Sequence, residues 1–436
     1  MLTRDVDVRP APPSYWDVVT VPVPEPAPPS WAIPEATFYW SAPNGDEMAG
    51  LGIAAEVRAH GPDRFALLRR RAEHVFAGLH SAGPSEHLPR LFGGLAFAPG
   101  ESDPRWAEFG DAWFVLPRAL YRRIDGQGWL TLVSDGGRGS AREKAAAMLS
   151  RLVGAARRHR GPVPTAIDVR ELDPARWRSA VGSIHDLIAT RGSEKIVLAR
   201  RTDVELDRSV DPSAVLARLE ARHPNCYRFG LRAGSSLFMG ASPERLVSLR
   251  GRTAQTESLA GSIAGSGGPA ARALMGSRKE RGEQAVVTRA VARALAPLCD
   301  RIEIAREPVV HELRDVVHLR TPVIGHLRAR RHLLEVAEAL HPTPAVAGEP
   351  RQPALDWIAQ REGASRGWYA GPIGWFDSAG DGELAVAIRS GLTSGTHLDL
   401  WAGAGIVALS DADSEYAETG VKQRALLDLF ASESEP

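Results

Sequence analysis

The sequence predicts a large mixed α+β domain. Three observations carry that prediction. Strand-like runs come in consecutive, antiparallel-looking groups. Helical patterns fall between the groups instead of alternating strand by strand, which argues against a parallel βαβ array. No internal repeat divides the 436 residues.

Residues 1–35 form a leader whose prolines, among them Pro22, Pro24, Pro26, Pro28 and Pro29, predict an extended, loosely packed terminus. The segment 36–165 then opens with short strand patterns at Thr37–Trp40, Leu91–Phe97, Ala112–Leu116 and Gly128–Val133. Phe65, Leu68, Ala72, Val75 and Leu79 recur at helical spacing and predict a helix over 64–79. A second helix, Ala- and Arg-rich, is expected over about 141–157. Gly161, Pro162 and Pro164 mark the best boundary in the chain. The segment 166–436 follows. It reads as a helix over 173–190, strands over 195–206 and 225–250, and a Gly- and Ser-rich loop at 261–268. Helices at 279–298 and 331–340 come next, then strands at 372–376, 383–389 and 397–407, and a terminal helix.

Composition excludes several classes. An apolar fraction of 44% with 24% charged residues is that of a globular domain. Lys+Arg and Asp+Glu both number 53, which gives no support to a nucleic-acid partner. No run of 18 apolar residues exists, so no membrane-spanning helix is expected, and with no apolar stretch behind a basic start at the N-terminus no secretory signal is expected either. Two cysteines, Cys226 and Cys299, exclude a disulfide scaffold and suit the cytoplasm. A Gly403-Ala-Gly405 passage lacks the third glycine of a dinucleotide fingerprint, and Gly261–Gly268 lacks the Lys-Ser/Thr of a phosphate loop.

Four places carry candidate chemistry. In Glu194–Leu206, alternation puts Lys195, Val197 and Ala199 on one strand face and Ile196 and Leu198 on the other. Both faces are mostly apolar, so Lys195 is expected to be at least half buried, where a lysine is a candidate base; a strand-end lysine reaching solvent is the alternative. Pro243 interrupts the strand around Phe238–Val247, which predicts an edge or bulge, and Glu244 follows as either a buried acid or a surface carboxylate. In the helix from 279, Val287, Ala290, Val291, Ala294, Leu295 and Leu298 form the apolar face, and one turn before Val287 lies Glu283. In the terminal helix Glu418, Lys422, Ala425 and Leu429 share a stripe, apolar in its lower half. Two buried faces thus begin with a carboxylate. If they meet, they need a cation, and carboxylates without His or Cys suit Mg²⁺. If they do not, each Glu favours its own helix dipole.

The chain resembles the chorismate-utilising enzymes. The motifs that carry the resemblance are Lys195-Ile-Val-Leu-Ala-Arg200, Ser242-Pro-Glu-Arg-Leu246, Ser258-Leu-Ala-Gly-Ser262, His341-Pro-Thr-Pro-Ala-Val-Ala-Gly348, Gly367-Trp-Tyr-Ala-Gly-Pro-Ile-Gly-Trp375, Ala387-Ile-Arg-Ser390, Ala402-Gly-Ala-Gly-Ile-Val407 and Glu418-Thr-Gly-Val-Lys422. They run densely from about 170 to the C-terminus. The resemblance implies a single large domain of antiparallel sheets packed at the core with helices outside. Within the family it is greatest to the isochorismate synthases, which implies an isomerase: water enters chorismate at C2, the C4 hydroxyl leaves, and the ring double bonds shift. By the same resemblance Lys195 is the base and Glu244 the acid. Glu283 and Glu418 hold Mg²⁺, with Glu280 and Glu415 one turn earlier in support. Gly261, Ala345, Tyr369, Arg389, Gly403, Gly405 and Lys422 contact substrate, and His318 matches a family histidine that a core role explains equally well. Ala345, where the ammonia-using and pyruvate-eliminating members usually carry Thr, favours the isomerase. Its product would serve siderophore, menaquinone or related aryl-acid synthesis. A salicylate synthase and a non-catalytic chorismate-binding homologue are the rival readings. A monomer with a small-molecule substrate is expected.

Overall fold

The computed structural model describes residues 16–23, 36–81, 87–100, 103–135, 143, 147, 148, 161–314 and 316–431. Among them, 21 strands join through continuous backbone hydrogen bonding. The pairings are antiparallel except where Trp16–Val23 runs alongside Leu79–Ser81. Connectivity branches at the strand Ala112–Ile124, which pairs with Gln127–Ser134 and so with Trp16–Val23, and from which two longer branches run. One branch passes through Glu47–Ala59, Ala36–Ser41, Tyr227–Ala233, Ser236–Ser242, Ser390–Ser394 and His397–Ile406 to Lys195–Leu206. The other passes through Arg90–Leu95, Pro372–Asp377, Gly382–Val386, Arg245–Arg250 and Thr253–Ala264 to Val316–Leu327. Strands from both sides of the 161–164 boundary therefore alternate within one sheet system, and a single apolar core runs through both. The expected architecture of antiparallel sheet with helices around it is what the chain adopts.

Several elements differ from the sequence reading, each for a local reason. Part of the proline-rich leader is a strand: Trp16-Asp-Val-Val-Thr-Val-Pro-Val23 is rich in β-branched residues and pairs with Gln127–Ser134. The segment 225–250 is three strands with turns between. The expected loop at 261–268 is the end of the strand Thr253–Ala264, followed by the helix Gly267–Gly276. Its glycine marks a register shift against Val316–Leu327 between Ala260 and Ser262, since an extra residue in one strand bulges the ladder. The helix over 64–79 ends at Ala77, and that expected over 141–157 lies outside the described residues save for three positions. The helix Pro212–Arg222 begins with an Asp211 side chain accepting from Ser213 N–H and Pro at its first position, as Pro174–Ala189 does with Asp173.

Two helices flank what becomes the site. Arg278–Leu295 lies on Thr253–Ala264 and buries Val287, Ala290, Val291 and Leu295 as its spacing predicts. Gln284 pins it there: Ala260 N–H donates to its Oε1 at 2.8 Å, and its Nε2 donates to Ser258 O at 3.0 Å. The terminal helix, Ala412–Leu427, lies on His397–Ile406. Its most buried positions are Glu415, Thr419, Gln423 and Leu426, one stripe round from the predicted face. The buried stripe is polar because it meets polar groups: Arg200 Nε donates to Thr419 Oγ1 at 2.6 Å and Thr202 Oγ1 to Gln423 Oε1 at 3.0 Å. Glu418 and Lys422 consequently face sideways, half-buried, instead of leading a core face.

A buried ion pair locks the Lys195 strand to the 341–347 loop. Arg366 donates to Val346 O at 2.6 Å and to Val197 O at 2.8 Å, while Glu362 accepts Arg366 Nε at 2.8 Å and Ala199 N–H at 2.7 Å. Removing Arg366 leaves the Glu362 charge and the carbonyls of Val346 and Val197 stranded. Arg366→Ala is expected to cost about 3–5 kcal/mol in urea unfolding monitored by tryptophan fluorescence; a loss under 1 kcal/mol would show the lock to be dispensable.

Candidate active site

Where the two branches meet the two helices, one pocket gathers nearly every candidate. Glu244, Gly261, Glu283, Ala345, Tyr369, Arg389, Gly403, Gly405, Glu418 and Lys422 line it, as do Glu280, Glu415 and His318. Lys195 reaches it from behind the glycines: it is 1% exposed, and its Nζ sits 2.7 Å from Glu283 Oε1. The sequence expected a lysine at least half buried; it is fully so.

The glycines make room for this. A Cβ on Gly405 would lie 2.6 Å from Lys195 Cε and 2.7 Å from Glu283 Oε1. Gly403 and Gly405 pair in register with Ala199 and Val197, on the strand face Lys195 shares, so bare backbone there lets the ammonium and its partner occupy the pocket wall. Gly261 has φ +71°, and a Cβ there would meet Glu280 O at 2.8 Å, which brings the helix start close to the strand.

Three lysines lie against four carboxylates. Besides Lys195 with Glu283, Lys422 Nζ is 2.7 Å from Glu418 Oε1 and donates to Gly403 O at 2.9 Å. Lys279, which the sequence reading missed, sits 2.8 Å from Glu415 Oε1 and 3.7 Å from Glu280 Oε1. Glu280 also accepts Ser262 N–H at 2.8 Å. Burial, then the neighbouring Glu283, pushes the Glu280 carboxyl up, with Glu418 adding to the rise. Burial alone would raise Glu283 too, but Lys195 first, then Lys422 and Lys279, hold it below the usual carboxylate range. Carboxylates from two helices therefore do meet, and they carry one more negative charge than the three lysines neutralise. An all-oxygen set of this kind fits a hard divalent cation. No three of these glutamates bring oxygens within 4.8 Å of one another. Among the described residues, the set that does so with three donors is Asp203, His397 and Asp399. It lies farther along the same strand pair, beyond Trp401, where Arg201 sits 2.8 Å from Asp203.

The opposite wall is different. Glu244 is 3% exposed, resolving the choice between buried acid and surface carboxylate. Its backbone N–H donates to Ser242 Oγ at 3.2 Å, and Ser242 in turn donates to Val386 O at 2.6 Å. Burial and then the nearby Glu257 push its pKa up to about 8, against the pull of Lys195 and Arg389. Arg389 is held in the left-handed region at φ +51°, an uncommon conformation outside glycine that functional sites retain. Its Nη2 lies 3.4 Å from His318 Nε2, whose Nδ1 is 3.0 Å from Ser262 Oγ. Burial, then Arg389 and Lys422, hold His318 well below its ordinary pKa, so it is neutral. Tyr369 stacks on Trp401 with ring planes 16° apart and, buried, has its hydroxyl pushed up to about 12. The pocket thus offers a lysine and a protonated carboxyl facing one space, cations for an anionic ligand, and a carboxylate cluster at one end.

A buried carboxyl with a raised pKa favours folding only while it is protonated. That contribution is full below about pH 4.5 and is lost as pH rises through about 8. Glu244→Gln should therefore gain stability over the parent progressively across that window, by a few kcal/mol at its top, as read by urea melts at pH 5, 7 and 9. A constant difference would place the group's pKa near its unperturbed value.

The chain has relatives among known proteins. A model of the family described as "Chorismate binding enzyme" matches residues 31–431. The chain is 35% identical over 411 residues to the "Salicylate biosynthesis isochorismate synthase" of Pseudomonas aeruginosa, covering 91% of this chain and 85% of that one. It is 33% identical over 421 residues to "Isochorismate synthase MenF" of Bacillus subtilis, covering 91% and 88%. The solved structure of MenF, the menaquinone-specific isochorismate synthase from Escherichia coli, superposes with a TM-score of 0.80 at 28% identity, covering 96% of both chains.

Proposed function

This chain belongs to the chorismate-binding enzymes, and on that premise we propose that it is an isochorismate synthase, an isomerase that converts chorismate to isochorismate for siderophore, menaquinone or related aryl-acid synthesis. The observation that carries the reading is the convergence of buried Lys195 and buried, proton-bearing Glu244 on one pocket with cations for a dicarboxylate.

Lys195, as the uncharged amine, takes a proton from the water that attacks C2 and becomes the ammonium, on the side where the backbone at Gly403 and Gly405 leaves room. Glu244 delivers its proton to the departing C4 hydroxyl, which leaves as water while the ring double bonds shift. A carboxyl that keeps its proton near neutral pH is what that second transfer needs. Arg389 and Lys422 face the substrate carboxylates, Arg389 as a planar fork and Lys422 as a point charge. Tyr369, Ala345 and Gly261 shape the pocket around the ring. The residues fit Mg²⁺ held by Glu283 and Glu418 with Glu280 and Glu415 behind them. Bound there, it supplies positive charge for the ring carboxylate. The reading carries with it a monomer working in the cytoplasm. Both cysteines are buried free thiols, and no helix among the described residues is long and apolar enough to cross a membrane.

Purified protein given chorismate and Mg²⁺ is expected to yield isochorismate as the sole product by HPLC, with the yield lost in EDTA. Stoichiometric salicylate and pyruvate would make it a lyase instead, and binding without turnover would make it a non-catalytic homologue. Lys195→Ala should lower kcat by at least ~100-fold in a folded protein; normal turnover would remove Lys195 from the mechanism. Gly405→Ala, which drives a methyl into the Lys195–Glu283 contact, should lower kcat by a similar factor, ~100-fold, with chorismate still bound.

A further inference from the structure

The acid Glu244 has a partner that nothing in its own strand supplies. Glu257, on the strand Thr253–Ala264, is 5% exposed. Its Oε1 accepts the backbone N–H of Arg245 at 3.0 Å, so its carboxylate lies against the peptide that follows Glu244. Its Oε2 accepts Arg320 Nε at 2.6 Å from the neighbouring strand Val316–Leu327. Two carboxyl groups are thus enclosed around one strand bend, where both cannot ionise without cost. Only one of them has donors fixed on it. Glu257 holds a guanidinium and a backbone N–H, both of which stabilise its charged form. We propose that Glu257 is a positioning residue for the reaction: its fixed negative charge keeps Glu244 a neutral proton donor, and its bond to Arg245 N–H sets the bend that aims Glu244 into the pocket. The inference rests on the reading of Glu244 as the acid.

The other groups facing Glu244 act in the opposite sense. Lys195 comes from the strand across the pocket and Arg389 from the turn after Gly382–Val386; both favour its ionised form. Tyr369, itself held neutral by burial, completes the set. Glu257 is therefore the one charged neighbour that, with burial, resists the pull of two cations. Pairs of carboxyl groups driven apart in this way are how a site at neutral pH keeps one of them protonated.

The test is the pH profile of kcat/KM. Its alkaline limb reports loss of the protonated acid. Glu257→Gln keeps an acceptor for Arg245 N–H and removes the charge. It should move that limb down by about one pH unit, with chorismate affinity below the limb unchanged. Glu257→Asp, which keeps the charge, should restore the limb towards the parent value. The double variant Glu257→Gln/Arg320→Gln removes the ion pair as a unit, covers the case in which the single variant is poorly folded, and should show a downward shift in the same direction but smaller, since the opposing guanidinium charge goes with it. A limb that stays in place in the folded variants overturns the proposal. Glu244→Gln is run alongside: if it turns over normally, the acid assignment itself falls, whereas a dead Glu244→Gln with an unmoved limb in Glu257→Gln overturns the role of Glu257 alone.

Discussion

The contact between Lys195 and Glu283 is what the rest of the site depends on. An ammonium that is 1% exposed cannot be left alone in the interior, because the desolvation cost is several kcal/mol. Its partner comes from another part of the chain, on a helix that is itself pinned to a different sheet branch through Gln284. Bringing the two together requires that nothing stand between them, and Gly405 satisfies that at the cost of a strand position with no side chain to pack. One ion pair thus fixes the spacing of the two branches, the seating of the helix Arg278–Leu295, and the glycine passage opposite.

Much of this was legible in the sequence because it follows from short-range period. Alternation put Lys195 on an apolar face, and counting back a turn from Val287 found Glu283. The Ser242-Pro-Glu244 interruption pointed to a bend, and the ladder does shift between Arg245 and Val247. The terminal helix shows the limit. Its hydrophobic stripe selected Ala425 and Leu429, and Leu429 is indeed buried, but within the helix the buried stripe also runs through Glu415, Thr419 and Gln423, because the strand beneath offers Arg200 and Thr202 in place of apolar side chains. Periodicity finds apolar faces and is blind to a polar face satisfied by a distant strand. Lys279, Glu257 and the Glu362–Arg366 lock were invisible for the same reason: each acquires its meaning from a partner tens to hundreds of residues away. The helix at Pro212 did leave a signal in Asp211-Pro212, the same capping pair that opens the helix at Pro174.

The charges are arranged by distance from the pocket. Close to it, lysines face glutamates on flexible stems, so partners can be exchanged when an anionic ligand or a cation arrives. Behind it, arginines hold backbone carbonyls and carboxylates in fixed forks, as Arg366 and Arg320 do. Farther along the same strand face lie Asp203 and Asp399, directly opposite each other. Burial first, then a hydrogen bond from its neighbour, pushes the Asp399 carboxyl up to about 6. Stiff groups thus surround adaptable ones, which is the layout a site needs to be both preorganised and exchangeable.

The pairing of Lys195–Leu206 with His397–Ile406 has a consequence for how the protein is made. Ten residues match in strict register across nearly two hundred positions of sequence. While the ribosome is still copying the middle of the message, the Lys195 strand has a bare edge of unpaired amide groups and an apolar face without its cover. The nascent chain therefore carries that open edge until residues 397–406 emerge to cover it, and the pocket, which needs Gly403, Gly405 and Glu418, cannot assemble before then. For expression in a foreign host, that places the hazard in elongation between the codons of the two strands, where slowing translation prolongs the exposed state and chaperone supply decides the yield.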